Sequence, residues 1–493
     1  MKKIWLLTIC TALFFTACGR QSEAEEYCEA DKIQTIEYEP EIIEAQTPVD
    51  EPETAEIQIA NIEGVYRVIL PPGSLTIDHF LEDLDYMVYV LENNFALLDV
   101  AYWAHGVDYR VLAANAREAI LNMDEPCEDM FLAIIITHFF PLFGTGHFRI
   151  FDPLIYNIMR GRAAYGGYSG PHRVMNIQLL HTPLALRFYG QARSQDQTTF
   201  IEAVQTVVDG LEQPASNRIF GILLGDNEPR NTTAFTQVIE EGRIGYIFAG
   251  SFVTLLSHQT QIFNFYSEIA DFEHLIIDLR GNEGGDINQF LNILLRPHLA
   301  EAIEDPLSFH FFMDGPYVRR FGDVLFASTT MSGFRAITEA YRPVSEVLAE
   351  HDLLYAHLPD FERLHYGGPS GNPIARRRGI QPNNARFDNQ PPFNGKIWML
   401  TDHRMGSAAQ GAAWYSMEIG FATHVGDTTG GVMGGPRTSV LMPNTGIVFY
   451  FDIFYITDAR GRPLEAGTIP HHFNRPGMDA LETVLALIEE GQY

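Results

Sequence analysis

The chain has 493 residues, 46% of them apolar, which is enough for a large core and implies about two or three domains. A formal net charge of −30 excludes nucleic-acid binding through a general basic surface. Four cysteines, with no CxxC and no Cys/His cluster, exclude a disulfide framework and a zinc motif, so no metal or organic cofactor is expected.

The N-terminus carries the first element. Lys2 and Lys3 precede an apolar run over residues 4–15, too short to span a membrane comfortably, and the run ends in Thr16-Ala17-Cys18-Gly19. This resembles a bacterial lipoprotein signal, which implies cleavage before Cys18 and lipid attachment to its thiol. The mature protein is then expected outside the cytoplasm, held to a bacterial cell membrane through Cys18. An ordinary cleaved signal is the alternative. Residues 1–17 read as signal peptide, and residues 18–58, acidic and poor in large apolar side chains, read as a disordered tether.

Residues 59–150 read as an N-terminal helical region. Leu81, Leu84, Met87, Val88 and Leu91 recur at helical spacing, and "DYRVLAANAREAILNM" and "EDMFLAIIITHFFPLF" continue the pattern, giving three expected helices. Residues 151–237 are mixed, with glycine-rich turns and no clear PDZ module. From residue 238 to the end, short β-rich runs alternate with helical ones: "IGYIFAG", "HLIIDL", "KIWMLT" and "FATHV" are the strands. Strands separated by helices imply an α/β layer with parallel pairing. A stretch rich in Pro, Gly and Arg at about 297–394 interrupts it and holds the one basic run, Arg376-Arg377-Arg378.

Two motifs bear on chemistry. In "HLIIDLRGNEGG" a buried strand runs into a turn where Gly281, Gly284 and Gly285 let the backbone approach a ligand, and such a turn aims amide N–H groups at a developing oxyanion. In "MGSAAQGAAW" a serine sits between a strand and a helix of small residues. Ser407 followed by Gln410 is a capping-box pattern; the other reading makes Ser407 a nucleophile at a helix N-terminus, where dipole and N–H groups favour negative charge.

Taken together, "IIDLRGNEGG", "IWMLTDHRMGSAAQ", "GFATHVGDTTGG" and "GRPLEAGTIP" resemble, in order and form, the tail-specific or C-terminal-processing serine peptidases and their tricorn relatives. The resemblance implies an α/β catalytic domain of the ClpP/crotonase-like kind behind an N-terminal helical bundle. It implies Ser407 as nucleophile, with an oxyanion hole from the Ala408 amide and one from the Gly284-Gly285 turn. Many members use a lysine base some two dozen residues after the serine; here that region reads Thr428-Thr429-Gly430-Gly431, and the whole chain holds only Lys2, Lys3, Lys32 and Lys396. The tricorn-like branch uses histidine, and His147 in "GTGHFR" occupies the matching place, with Glu465 as the distal glutamate that orients or stabilises the imidazole. Two positions depart from the pattern: Gly146 stands where that branch has serine, and Gln410 where the family often has glutamate. His403 is a rival base. The expected function is peptide-bond hydrolysis through an acyl-enzyme, with a peptide or protein substrate. A catalytically inactive peptide- or lipophilic-ligand-binding lipoprotein on the same scaffold is the alternative.

Overall fold

Four of the six strands in the central sheet come from largely apolar runs of four to six residues, too short for helices and rich in β-branched and aromatic side chains. The computed structural model describes residues 56–61, 64–69, 75–164, 179–190, 198–208, 233–320, 341–370, 373–382, 393–435 and 437–492. The signal, Cys18 and most of the tether lie outside these residues. The last tether positions enter β1 (Glu56–Asn61), which pairs antiparallel with β2 (Gly64–Ile69).

The helical region holds α1 (Ile77–Asn94), α2 (Leu98–His105), α3 (Tyr109–Leu121) and α4 (Glu128–Phe139). The sequence pattern foresees three of these; α2 is eight residues long and stops at Gly106, whose φ of 71° only glycine adopts freely. After α4 the chain turns through residues 144–147 into the two-residue strand β3 (Arg149–Ile150), then into α5 (Pro153–Ala164), α6 (Pro183–Tyr189) and α7 (Thr198–Val208).

The central sheet comprises β4 (Ala234–Glu240), β5 (Ile244–Ala249), β6 (His274–Asp278), β10 (Lys396–Thr401), β11 (Thr423–Gly426) and β15 (His472–Phe473), in the order β15-β11-β10-β6-β5-β4. All neighbours are parallel except β4 with β5. Every residue of β6 is buried, the mark of a strand covered on both faces. Leu275, Ile277 and Met399 pack on one face with α8 (Gln259–Glu268) and α9 (Ala408–Glu418), while Ile276, Trp398 and Leu400 pack on the other with α10 (Ala480–Glu489). After β6 and its turn, residues 287–295 form one short helical turn, Ile287–Gln289, that widens into a π-helical stretch, Phe290–Leu295.

Two smaller sheets complete the molecule. Within the interruption, β7 (Ser308–Phe312), β8 (Arg342–Pro343) and β9 (Tyr366–Pro369) join β14 (Tyr455–Asp458) in an antiparallel sheet. The hairpin of β12 (Arg437–Leu441) and β13 (Val448–Asp452) pairs with β3, Tyr450 standing opposite Arg149. Phe95, Phe131 and Phe148 of the helical region share a continuous core with Phe309, Phe449 and Phe451, so the helices bury their apolar faces against these two sheets. The α/β sheet and the preceding helical region agree with the fold class expected from sequence.

One buried carboxylate fastens α1 to the tip of that hairpin. Asp83 accepts the N–H groups of Asn444 and Thr445 at 2.8 Å each and the Thr445 hydroxyl at 2.5 Å, and burial pushes its pKa up to about 6. Replacing it with alanine strands three donors, the two on Thr445 fully buried, and a buried donor left unpaired costs on the order of 1–3 kcal/mol. Asp83→Ala is therefore expected to lower the free energy of unfolding by roughly 2–4 kcal/mol, read by urea titration; an unchanged midpoint would refute this role.

Candidate active site

Adjacent parallel strands send their following loops to the same edge of a sheet. Thus the turn after β6, with Gly284 and Gly285, and the turn after β10, with Ser407, meet at the carboxyl ends of the strands, where open α/β sheets hold their ligands. The approach is close. A Cβ built on Gly284 would lie 2.7 Å from the Ala408 nitrogen and 2.9 Å from Ser407 Cβ, so only glycine fits.

Ser407 does not cap its helix. It precedes α9 with φ of 55° and ψ of −125° and makes no side-chain capping bond; its N–H donates instead to the Gly431 carbonyl at 3.1 Å. The Gln410 side chain is taken up elsewhere: its Nε2 donates to the Leu464 carbonyl at 3.1 Å and to Thr468 Oγ1 at 3.0 Å, and its Oε1 accepts the Thr429 hydroxyl. The capping-box reading of the serine therefore gives way, and Ser407 Oγ is left for a different partner.

That partner is His147, 260 positions away in the chain. Its Nε2 lies 3.1 Å from Ser407 Oγ, and its Nδ1 lies 2.6 Å from Asp452 Oδ2. Strand pairing explains the second contact. Tyr450 faces Arg149 across β13 and β3, and two residues further along the same antiparallel register Asp452 falls opposite His147. Asp452 is fully buried, with the Arg437 Nε 3.8 Å from its other oxygen, and a Cβ on Gly434 would overlap it. A carboxylate on Nδ1 fixes the tautomer that leaves Nε2 free to accept the serine proton. Sequence reasoning passed over Asp452. The available signal was a single carboxylate inside the apolar strand "VFYFDIF", because a buried charge requires a partner.

Glu465, expected at the imidazole, is placed differently. Its Oε1 accepts the Gly146 N–H at 3.0 Å and its Oε2 the Met433 N–H at 2.6 Å, with a further backbone bond from Val432. It braces the segments on either side of the site and makes no hydrogen bond to His147, whose Nδ1 Asp452 occupies. Burial, reinforced by the nearby Asp452 charge, pushes the Glu465 pKa up to about 8. Gly146 is accounted for by the same packing: a Cβ there would lie 2.3 Å from Leu97 Cδ1 and 2.8 Å from Phe95 Cε2, so no serine fits as the backbone runs.

Backbone strain is concentrated here. Among the described residues the non-glycine positions with positive φ are His147 (52°), Ser407 (55°) and Val432 (59°). Such conformations cost on the order of 1–3 kcal/mol each and cluster where function needs them. The amides for an oxyanion are also narrowed. The Gly284 N–H is committed to Asn282 Oδ1 at 2.8 Å, whereas those of Gly285 and Ala408 have no hydrogen-bond partner among the described residues. His403 is exposed and makes no hydrogen bond to Ser407. A second serine–histidine contact, His424 Nε2 to Ser416 Oγ at 3.0 Å, is wholly buried and closed to substrate. Among the described residues no group of His, Cys, Asp and Glu side chains is assembled to hold a metal ion.

Residues 243–303 and 363–473 match the sequence model of Peptidase family S41. The matched segments contain the Gly284-Gly285 turn, Ser407, Ala408, Asp452 and Glu465; His147 lies outside them and stands on its geometry. Among solved structures, a protein from Parabacteroides merdae is 14% identical with a TM-score of 0.45, covering 84% of this chain and 97% of that one. Mature CPAF complexed with lactacystin is 13% identical with a TM-score of 0.44, covering 84% and 98%. A lipoprotein from Streptococcus agalactiae is 11% identical with a TM-score of 0.36, covering 86% and 98%. No curated protein matches the chain.

Two outcomes are expected of this geometry. Asp452→Asn preserves shape but permits the wrong imidazole tautomer, so the reaction rate of Ser407 with a fluorophosphonate should fall by roughly 10³–10⁴-fold, measured by stopped-time labelling. A rate within a factor of three of the parent would dismiss Asp452 from this role. For Glu465 the folded pKa of about 8 stands above its ordinary 4.5. Its stabilising contribution is therefore complete below pH 4.5 and is lost as pH rises through about 8. Over that window the unfolding midpoint of the parent chain should decline relative to Glu465→Gln; parallel profiles would count against the buried neutral acid.

Proposed function

We propose that this chain, related to the S41 serine peptidases through the segments that carry Ser407 and the Gly284-Gly285 turn, hydrolyses peptide bonds through an acyl-enzyme. The single observation that carries the proposal is the 3.1 Å contact of His147 Nε2 with Ser407 Oγ, made by an imidazole whose other nitrogen is held at 2.6 Å by buried Asp452. The relation to the family makes a peptide or protein the substrate class.

A serine hydroxyl is a weak nucleophile at neutral pH, and a positioned base raises its reactivity. Ser407 Oγ attacks the scissile carbonyl carbon as His147 Nε2 takes the hydroxyl proton. The carbonyl π pair moves onto oxygen, and the Ala408 and Gly285 amides donate to the resulting oxyanion, aided by the N-terminal end of α9. Asp452 stabilises the imidazolium. Collapse of the tetrahedral species expels the amine, which receives the proton from His147, and leaves an ester on Ser407. A water deprotonated by the same imidazole then attacks that ester and returns Ser407 Oγ–H and a free carboxylate.

The mature protein is further read as an endopeptidase tethered outside the cytoplasm by lipid on Cys18, which the signal-like N-terminus and the acidic stretch behind it support. No helix among the described residues is long and apolar enough to cross a membrane.

The test is covalent labelling of the full-length chain with a fluorophosphonate, with Ser407→Ala and His147→Ala alongside. Labelling of the parent, abolished in Ser407→Ala and reduced at least about 10³-fold in His147→Ala, is the expected result. A folded parent that does not react would instead make this a ligand-binding protein on a peptidase scaffold.

A further inference from the structure

The turn that supplies Gly285 does not end at the oxyanion site. Its next residue, Asp286, lines a cavity of about 330 Å³ together with Leu256, Gln259, Asn288, Asn292 and Ile293. At the volume that liquid water occupies, this space would hold roughly ten molecules, room enough for a long side chain. Gln289 joins the walls: its Oε1 accepts the Leu256 N–H at 2.8 Å and its Nε2 reaches the Val253 carbonyl at 3.4 Å.

The chemistry of the lining is biased. Asp286 Oδ1 is occupied by the Asn288 backbone N–H and by Asn288 Nδ2, both at 2.9 Å. That arrangement orients two further acceptors, Asp286 Oδ2 and Asn288 Oδ1, neither of which has a partner among the described residues. The cavity contains a carboxylate and no cationic side chain, in a chain of net charge −30. Leu256 and Ile293 supply apolar wall for an aliphatic stem, as long cationic side chains require.

Position decides what enters. The Gly284 α-carbon touches the Ser407 turn, a Cβ there falling 2.9 Å from Ser407 Cβ, and Asp286 is two residues further on, at most about 7 Å away. Asp286 thus lies within roughly 11 Å of Ser407, a distance that extended chain crosses in about three residues.

We infer that this cavity is a specificity subsite that receives a lysine or arginine side chain two or three residues from the scissile bond of a peptide. The inference rests on the peptidase reading of Ser407.

The test uses the full-length chain and a set of quenched fluorescent peptides in which Lys, Arg, Ala or Glu is placed in turn at each position around one cleavage site, reading kcat/KM. At one position two or three residues from the scissile bond, Lys or Arg is expected to exceed Glu by about 10-fold or more, mainly through KM, as a charge-assisted hydrogen bond allows. In Asp286→Asn, which keeps the acceptor for the Asn288 amide but removes the charge, the ratio should approach one. In Asp286→Lys it should invert. Because the readout is a ratio within each variant, a change in overall rate does not disturb it. A chain that reacts with fluorophosphonate and cleaves peptides, yet has a flat ratio at every position or prefers Glu, overturns the subsite alone. A chain that neither reacts nor cleaves overturns the peptidase reading, and the subsite falls with it.

Discussion

The buried carboxyl of Glu465 is the constraint on which the site depends. Through Gly146 it fixes the segment that delivers His147, and through Val432 and Met433 it fixes the segment whose Gly431 carbonyl receives the Ser407 N–H. The three strained non-glycine residues are thus tied, within one or two residues, to a single side chain. A left-handed histidine, serine and valine would relax if their segments were free, so the surrounding hydrogen bonds have to over-determine them. Satisfying the donors also explains why this acid is tolerated in the interior: it stays neutral near pH 7 and accepts backbone N–H groups all the same.

Two carboxyls of like chemistry therefore divide the work by environment. Asp452 approaches the ring nitrogen, where negative charge is useful, and Glu465 approaches amides, where it is not required. Gly146 and Gln410, which look like losses when measured against relatives, belong to the same arrangement. The glycine lets the chain pass under Phe95 and Leu97, and the glutamine links the loops at Thr429, Leu464 and Thr468.

Much of the sheet was legible because its strands are unbroken apolar runs, and "HLIIDL" and "KIWMLT" lie where they were expected. Ser407 was legible as a candidate because its strand-to-helix motif resembles that of a known family, and the structure does put it between β10 and α9. The orienting carboxylate was not. Asp452 sits 305 positions from His147, and their encounter is set by the register of a two-residue strand, too short to leave a pattern. The π-helical widening after Gln289 was hidden for a related reason: its residues are apolar at helical spacing, and that spacing does not distinguish a slightly wider turn. Of the two readings open at Ser407, capping falls because Ser-x-x-Gln satisfies the pattern while the backbone at Ser407 denies the geometry.

Ser407 is mounted on the core formed by Met405, Ala409 and Ala412 beneath the parallel sheet, whereas His147 and Asp452 are mounted on the other, with Phe148 and Phe451. His147 and Ser407 therefore come into register only when both cores have formed and seated against each other. Until then Ser407 has no imidazole beside it and is an ordinary serine. Any reactivity that this pair confers is in this way conditional on the completed assembly of both cores.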